Sequence, residues 1–393
     1  MNDKELMKIA AEDMTPAYIF DTDILQKRID LLRNAFDNRV KLCYAMKANP
    51  FLVDPMQKMV DKFEVCSPGE FRICERTHIP MDHIVLSGVY KETKEVEHVV
   101  ETYHGAGVLT VESWSHLEKI AAAAEKNQTH VSVLLRLTSG NQFGLDEKDI
   151  YTIIGNRAQY EYVEFLGLQY YSGTQKKKIS QIQDELTMLD HLYTDLAQKE
   201  GFVAKELEYG PGFYVPYFTN EDNHEEAVVA EFADMLKKLN FQGEITLEMG
   251  RFMAADCGCY ISKIVDQKVN HDVNYCIIDG GINHVNYYGQ MMAMRVPDIL
   301  HISQNDSGDD AEKTWCICGS LCTVGDVLVK QLPLTNAQVG DKLVFKRIGA
   351  YSITEGIYLF LSRDMPGVYL YSQDKGLELL RSKRATDIIN SKE

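Results

Sequence analysis

The sequence predicts an α/β protein: a (β/α)8 TIM-type barrel followed by an antiparallel β-barrel-like C-terminal domain. Three observations carry this. Between residues 40 and 250 some eight short, β-branched apolar runs recur, the number that closes a parallel barrel. Helical periodicity fills the gaps between them, so strand and helix alternate as a parallel sheet requires. Past residue 255 the helical patterns fade, and strand-like runs follow one another across turns. The alternation by itself also suits an open doubly wound sheet, which these runs leave open.

In order, the runs are "VKLCYAM" (40–46), "KFEVC" (62–66), "HIVLSG" (83–88), "GVLTVE" (107–112), "HVSVLLRL" (130–137), "VEFLGLQY" (163–170), "ELEYG" (206–210) and "EITLEMG" (244–250). After Gly173, the residues Ile179, Ile182, Leu186, Leu189 and Leu196 recur at helical spacing, and Gly201 stands where a helix-ending glycine belongs. The stretch "EEAVVAEFADMLKKLN" is acidic at its start and basic at its end, as a helix dipole prefers. Beyond the barrel, "YISKIVDQKVN", "VNYCIIDGG", "KTWCICGSL", "DKLVFKRIGAY" and "GVYLYSQ" read as strands, and "QNDSGDDAEK" (304–313) as an exposed loop. The expected division is a barrel over 22–255, with 1–21 and 256–393 forming the β domain.

Composition narrows the function. The 393 residues are 45% hydrophobic and 25% charged, which describes a globular chain with room for a large domain and a smaller one. A formal charge of −17, offset locally only by Lys176-Lys177-Lys178, argues against a nucleic-acid partner. The opening "MNDKELMKIAAEDM" lacks the apolar core of a signal peptide, and no apolar stretch is long enough to span a bilayer, so a cytoplasmic protein without a membrane partner is expected. The nine cysteines do not form a disulfide framework. Neither C-x-C at 257–259 nor C-x-C-x-x-x-C at 316–322 has the spacing of a structural zinc site, so no metal is expected and most of the thiols should be buried and reduced.

Chemistry in such a barrel gathers where the strands end. Those ends carry Lys47, the acids between Glu64 and Glu70, Ser87, Arg136, "YSGTQ" (171–175), "GPGF" (210–213) and "EMGR" (248–251). A lysine closing an apolar strand in "CYAMKANP" either reaches solvent or is chemically committed. Gly-Pro-Gly is often only a turn, yet two glycine turns beside Arg251 could cradle a phosphate. Lysine, phosphate cradle and the carboxylate of Glu248 together suggest a Schiff base with pyridoxal phosphate, the acid serving the pyridine nitrogen.

With these residues in view, the chain resembles the fold-type III pyridoxal-phosphate decarboxylases, the family of diaminopimelate and ornithine decarboxylases, with a more distant likeness to alanine racemase. The resemblance spans nearly the whole length. It rests on "YAMKAN", "EVCSPGE", "LRLTSGNQFGL", "GLQYYSGTQ", "GPGF", "EMGR", "GSLCTVGDVL" and "IGAY", in the family's order. It implies that Lys47 binds the cofactor, that Glu248 pairs with the ring nitrogen, and that Thr174, Gly210, Gly212, Gly250, Arg251 and Tyr351 hold the phosphate. Glu64, where the family usually has Asp, and Glu70 would lie near the lysine, supported by Arg136. Cys322 would come from a partner subunit of a homodimer with shared active sites and take part in protonation after carbon dioxide leaves.

The departures bear on substrate. The family's "HFHIGS" reads "QYYSGT" here, so Tyr171 replaces the stacking histidine, and "EPGR" reads "EMGR". Where relatives acting on dibasic amino acids carry an acid after the loop cysteine, this chain has Thr323. Another acid, such as Asp326 or one within "DGGINHVNYYGQMMAMRVP" (279–297), would have to serve a distal amine. The resemblance therefore implies pyridoxal-phosphate-dependent α-decarboxylation of an amino acid, of diaminopimelate-decarboxylase type. The alternative is a biosynthetic enzyme acting on a carrier-protein-tethered or otherwise modified amino acid. Retention of Lys47, Glu248, Arg251 and Cys322 counts against a non-catalytic cofactor-binding protein, and Glu248 counts against a racemase.

Overall fold

A computed structural model describes residues 1–10, 12, 14–37, 39–105, 107–303 and 312–392. Most of the expected loop at 304–313 lies outside the described residues. The chain divides into two compact units, one of residues 29–215 with 224–252, the other of residues 1–28, 216–223 and 253–393.

Strand β1 (Ala17–Asp21) belongs to the second unit. The first is built on β2 (Val40–Ala45), β3 (Lys62–Val65), β4 (Ile84–Leu86), β5 (Val108–Val111), β6 (Val131–Leu137), β7 (Val163–Tyr171), β8 (Glu206–Gly210) and β9 (Glu244–Met249). These eight form a closed, all-parallel barrel in sequence order, with β9 returning to β2 at Cys43↔Glu248 and Tyr44↔Met249. Closure excludes the open doubly wound sheet, and the strands fall on the predicted runs to within a residue or two. Val, Ile and Leu at alternate positions face the surrounding helices and are buried.

The barrel interior is unusually polar. Near the strand starts, Lys62 Nζ reaches Glu206 Oε1 at 2.5 Å, Thr246 Oγ1 at 3.1 Å and Glu244 Oε1 at 3.2 Å. Further along, Gln169 Nε2 donates to Glu208 Oε1 at 2.5 Å and to Ser87 Oγ at 3.2 Å. Buried polar groups demand partners, and neighbouring strands supply these, although Gln169 Oε1 and Glu208 Oε2 are left without a hydrogen-bond partner among the described residues.

The helix Ile179–Glu200 ends at Gly201 in the left-handed conformation (φ +61°), as its spacing predicts. The next helix, Glu225–Leu236, stops short of the predicted Lys-Lys end. Its last carbonyl, Leu236 O, accepts from the Arg39 guanidinium at 3.0 Å, and the same group donates to Phe241 O beyond the helix at 2.9 Å. Asp190 draws the following chain away, accepting from the N–H groups of Asn240 (3.0 Å) and Phe241 (2.8 Å). Side chains distant in sequence therefore set this helix end.

The second unit is a nine-stranded sheet of β1 with β10 (Gly258–Asn270), β11 (Val273–Ile278), β12 (Ile299–Ile302), β13 (Glu312–Cys318), β14 (Val327–Thr335), β15 (Lys342–Lys346), β16 (Gly367–Ser372) and β17 (Gly376–Arg381). Its main path is β14-β13-β11-β10-β1-β16-β17, with β15 and β12 branching from β10. Six of the eight pairings are antiparallel, as expected. Two are parallel, β1 with β16 and β11 with β13, so the sheet is mixed. β1 joins across hundreds of residues, a pairing no local pattern announces. Tyr18, Phe20, Tyr260 and Phe345 fill this unit's core.

All nine cysteines are free thiols. Among the described residues no helix is long and apolar enough to cross a membrane, and no cluster of His, Cys, Asp or Glu could hold a metal ion.

Candidate active site

The strand β2 ends in a single helical turn, Met46–Ala48, which lifts Lys47 out of the apolar run. The Lys47 side chain is 38% exposed, against 2% for Glu64 and 8% for Glu248, so the amine stands at the mouth and the acids line the floor. Lys47 Nζ lies 2.5 Å from Glu64 Oε2 and 3.3 Å from Glu248 Oε1. Glu64 comes from β3 and Glu248 from β9, the two strands flanking β2. Strand order alone converts three residues remote in sequence into one cluster.

The two acids differ in charge. Burial raises a carboxyl pKa, but the Lys47 ammonium, through its charge and hydrogen bond, holds Glu64 below its ordinary value. Glu248 is pushed up to about 7, first by burial and then by the negative charge of Glu64. The cluster thus holds an ion pair and, beside it, a carboxyl that retains a proton to near neutrality.

Sequence reasoning assigned no role to Cys66, although "EVCSPGE" contains it. Its thiol donates to Glu64 Oε1 at 3.0 Å and lies 3.7 Å from Lys47 Nζ, and burial keeps it protonated. Glu70, near enough to feel the charges of Glu64 and Lys47, accepts the Cys66 N–H at 2.7 Å, while its own N–H donates to Ser67 Oγ at 3.2 Å. This caps the helix Pro68–Arg76. Arg136 pairs with Glu112 (3.2 Å) and lies over the Phe143 ring at 4.8 Å. Lys91, also missed, is buried with its amine on the carbonyls of Leu86 (3.2 Å), Ser87 (2.9 Å) and Gly88 (3.2 Å), which fixes the end of β4. Burial lowers its pKa to about 8.

Three turns meet beside this cluster. Gly212 has φ +62°, and a Cβ there would strike the Gly173 carbonyl. A Cβ at Gly250 would lie 2.9 Å from the Ala48 methyl and 3.1 Å from the Ala45 carbonyl, so only glycine lets β9 end against the Lys47 turn. Arg251 Nε donates to Thr174 Oγ1 at 3.3 Å, joining the third turn to the first. The Tyr171 ring lies against Gly210, where a Cβ would come within 2.6 Å of it. An amine at the mouth, a proton-holding carboxyl, an aromatic ring, a guanidinium and close-packed glycine turns form a donor set that fits pyridoxal phosphate.

The remaining expected residues belong to the β unit. Cys322 and Thr323 are exposed in the loop between β13 and β14. Tyr351 is held at φ +69°, a strained conformation for an aromatic residue and the kind that persists at functional positions. Asp326, a candidate for a distal amine, has its carboxylate engaged within its own unit. It is buried, one oxygen accepting from the Ile282 N–H at 2.8 Å and the other from the Leu321 N–H at 2.7 Å, so its carboxylate anchors the loop.

Residues 22–255 match the family described as the pyridoxal-binding domain of pyridoxal-dependent decarboxylases. Over 99% of its length the chain is 24% identical to an L-glutamyl-(BtrI acyl-carrier protein) decarboxylase of Niallia circulans, covering 96% of that protein. It is 26% identical to the diaminopimelate decarboxylase of Aquifex aeolicus, over 88% of this chain and 84% of the other. Among solved structures, the diaminopimelate decarboxylase of M. jannaschii in complex with L-lysine superposes with a TM-score of 0.87 at 23% identity, over 98% of this chain and 93% of that one.

Proposed function

Since the chain belongs to the pyridoxal-dependent decarboxylase family, we propose that it removes the α-carboxyl group of an amino acid, in the manner of a diaminopimelate decarboxylase. The observation that carries this reading is Lys47 at the barrel mouth, 2.5 Å from Glu64 and 3.3 Å from Glu248. Lys47 would hold the cofactor's aldehyde carbon, Glu248 its ring nitrogen, and Tyr171 would lie against its ring. Thr174, Gly210, Gly212, Gly250 and Arg251 would hold its phosphate. When bound, pyridoxal phosphate supplies an electron sink for the pair left by departing carbon dioxide.

The protein's own residues prepare that chemistry. Glu64 neutralises the Lys47 ammonium, and burial together with the Glu64 charge raises the pKa of Glu248. The Cys66 thiol occupies the second Glu64 oxygen, so the acid has one orientation. We assign Cys322 the return of a proton to the substrate carbon, from the second copy of a homodimer. Its exposure at the loop, with Asp326 bracing the loop from beneath, supports that assignment.

A specific observation favours a second reading of the substrate. Thr323 offers no charge, and the Asp326 carboxylate is committed to backbone N–H groups, so the loop presents no carboxylate to a distal ammonium. That suits an aminoacyl group on a carrier protein, the substrate named for the Niallia circulans relative. Carbon dioxide release from meso-diaminopimelate, lysine, ornithine, arginine, glutamate and a carrier-bound glutamyl thioester tests both. Release from a free dibasic amino acid supports the first reading, release from the thioester alone the second, and none from any sinks both.

A further inference from the structure

Glu185 is a buried carboxylate on the helix Ile179–Glu200, outside the cluster around Lys47. It gathers donors from two different strand ends. Ser172 Oγ donates to its Oε1 at 2.6 Å, and Lys176 Nζ and Tyr209 OH donate to its Oε2, each at 2.6 Å. Ser172 and Lys176 bracket Gly173-Thr174 in the turn after β7. Tyr209 and Gly210 are the last two residues of β8 and lead into the Pro211-Gly212 turn.

The same two turns are also tied directly. The Lys176 N–H donates to the Gly212 carbonyl at 2.9 Å. The Gln175 side chain clasps the Val215 backbone in both directions, accepting its N–H at 2.7 Å and donating to its carbonyl at 2.9 Å. Stability does not explain the choice of a buried ion pair here, because apolar residues of similar volume usually hold a core as well or better. What charged hydrogen bonds add is direction: three short bonds onto one carboxylate fix where each donor's backbone lies.

We propose that Glu185, with Lys176, is a positioning residue for the cofactor's phosphate, holding the 172–176 and 209–213 turns at the spacing a phosphate dianion requires. This rests on the reading of the site as one for pyridoxal phosphate. Binding sites tolerate little looseness in their supporting residues. Loss of Glu185 therefore removes the phosphate's share of cofactor affinity and leaves the bond between Lys47 and the aldehyde untouched.

The test compares pyridoxal phosphate with pyridoxal, which lacks the phosphate, in absorbance titrations of the cofactor-free protein. Wild type is compared with Glu185→Gln, which preserves side-chain volume, and with the apolar pair Lys176→Met/Glu185→Leu, with melting temperatures measured alongside. Expected are a wild type that prefers pyridoxal phosphate and variants whose Kd for it rises about tenfold or more, as for other supporting contacts around a bound group. Their Kd for pyridoxal should stay within about twofold of wild type. A purely structural role would weaken both ligands by the same factor, and that result, or unchanged affinity for pyridoxal phosphate, overturns the inference. A wild type that takes both ligands equally overturns the cofactor reading along with it.

Discussion

Glu64 and Glu248 stand on either side of one amine, 2.5 and 3.3 Å from Lys47 Nζ, yet titrate apart: burial and then the charge of Glu64 push Glu248 up to about 7, while the Lys47 ammonium overcomes burial and holds Glu64 below its ordinary value. Glu248 is thus a buried carboxyl able to keep or release a proton near neutrality, as a partner for a pyridine nitrogen must. Glu248→Gln is expected to retain bound cofactor and lose turnover by about a hundredfold or more, the scale of a lost preorganised electrostatic contact. Near-normal carbon dioxide release from a cofactor-loaded variant would rule the role out.

The same carboxyl makes stability depend on pH. Its folded pKa, about 7, lies above the ordinary 4.5, so between those values the folded chain keeps a proton the unfolded chain has lost. Raising the pH through that window therefore removes stability. Glu64, held below 4.5, acts with the opposite sign and only in more acidic solution. The melting temperature of cofactor-free wild type, measured relative to Glu248→Gln, should fall by a few degrees from pH 5 to pH 8. A constant difference between the two proteins would show that Glu248 is not perturbed.

Borohydride reduction of the protein with pyridoxal phosphate is expected to leave the pyridoxyl group on Lys47, the amine at the mouth, rather than on Lys91, whose amine is buried on backbone carbonyls. Peptide mapping reads the site. Label on Lys91 in wild type would reverse the assignment.

If Cys322 completes the site of a second copy, mixing inactive Lys47→Ala with inactive Cys322→Ala should restore up to about a quarter of wild-type activity. At random pairing, half the dimers are mixed and each regains one of two sites. Demonstrated subunit exchange with no recovery would confine Cys322 to its own chain's site or to no catalytic part.

Thr323 and Asp326 are three residues apart and should respond differently to substitution. Thr323→Glu adds a charge to an exposed loop and is expected to raise kcat/KM for a substrate with a distal amine by roughly tenfold, the scale of a charge-assisted bond. Asp326→Ala leaves the Ile282 and Leu321 N–H groups unpartnered and should lower stability by about 1–3 kcal/mol. Denaturant unfolding of Asp326→Ala with wild-type stability would rule out this anchoring role.

By itself the sequence determined the eight strands, because a strand buried between helices and interior needs a β-branched run and each run is complete within a few residues; that they close into a barrel rather than an open sheet was decided by the pairing of β9 with β2. It also determined where the chemistry would collect, since Lys47, the glycine turns and Glu248 each sit at a run's end. Only the tertiary structure decided which acids meet the lysine. Glu64 and Glu70 both stand in "EVCSPGE", but strand pairing brings Glu64 onto the Lys47 amine while the Glu70 carboxylate accepts the Cys66 N–H. It likewise decided that Cys66 bonds Glu64, that Glu185 gathers two turns, that Arg39 and Asp190 end a helix, and that β1 pairs in parallel with β16. The reason is common to all of them. Backbone periodicity is a local property, whereas a buried polar group is satisfied by whatever the fold brings within about 3 Å, and that partner can lie anywhere in the chain.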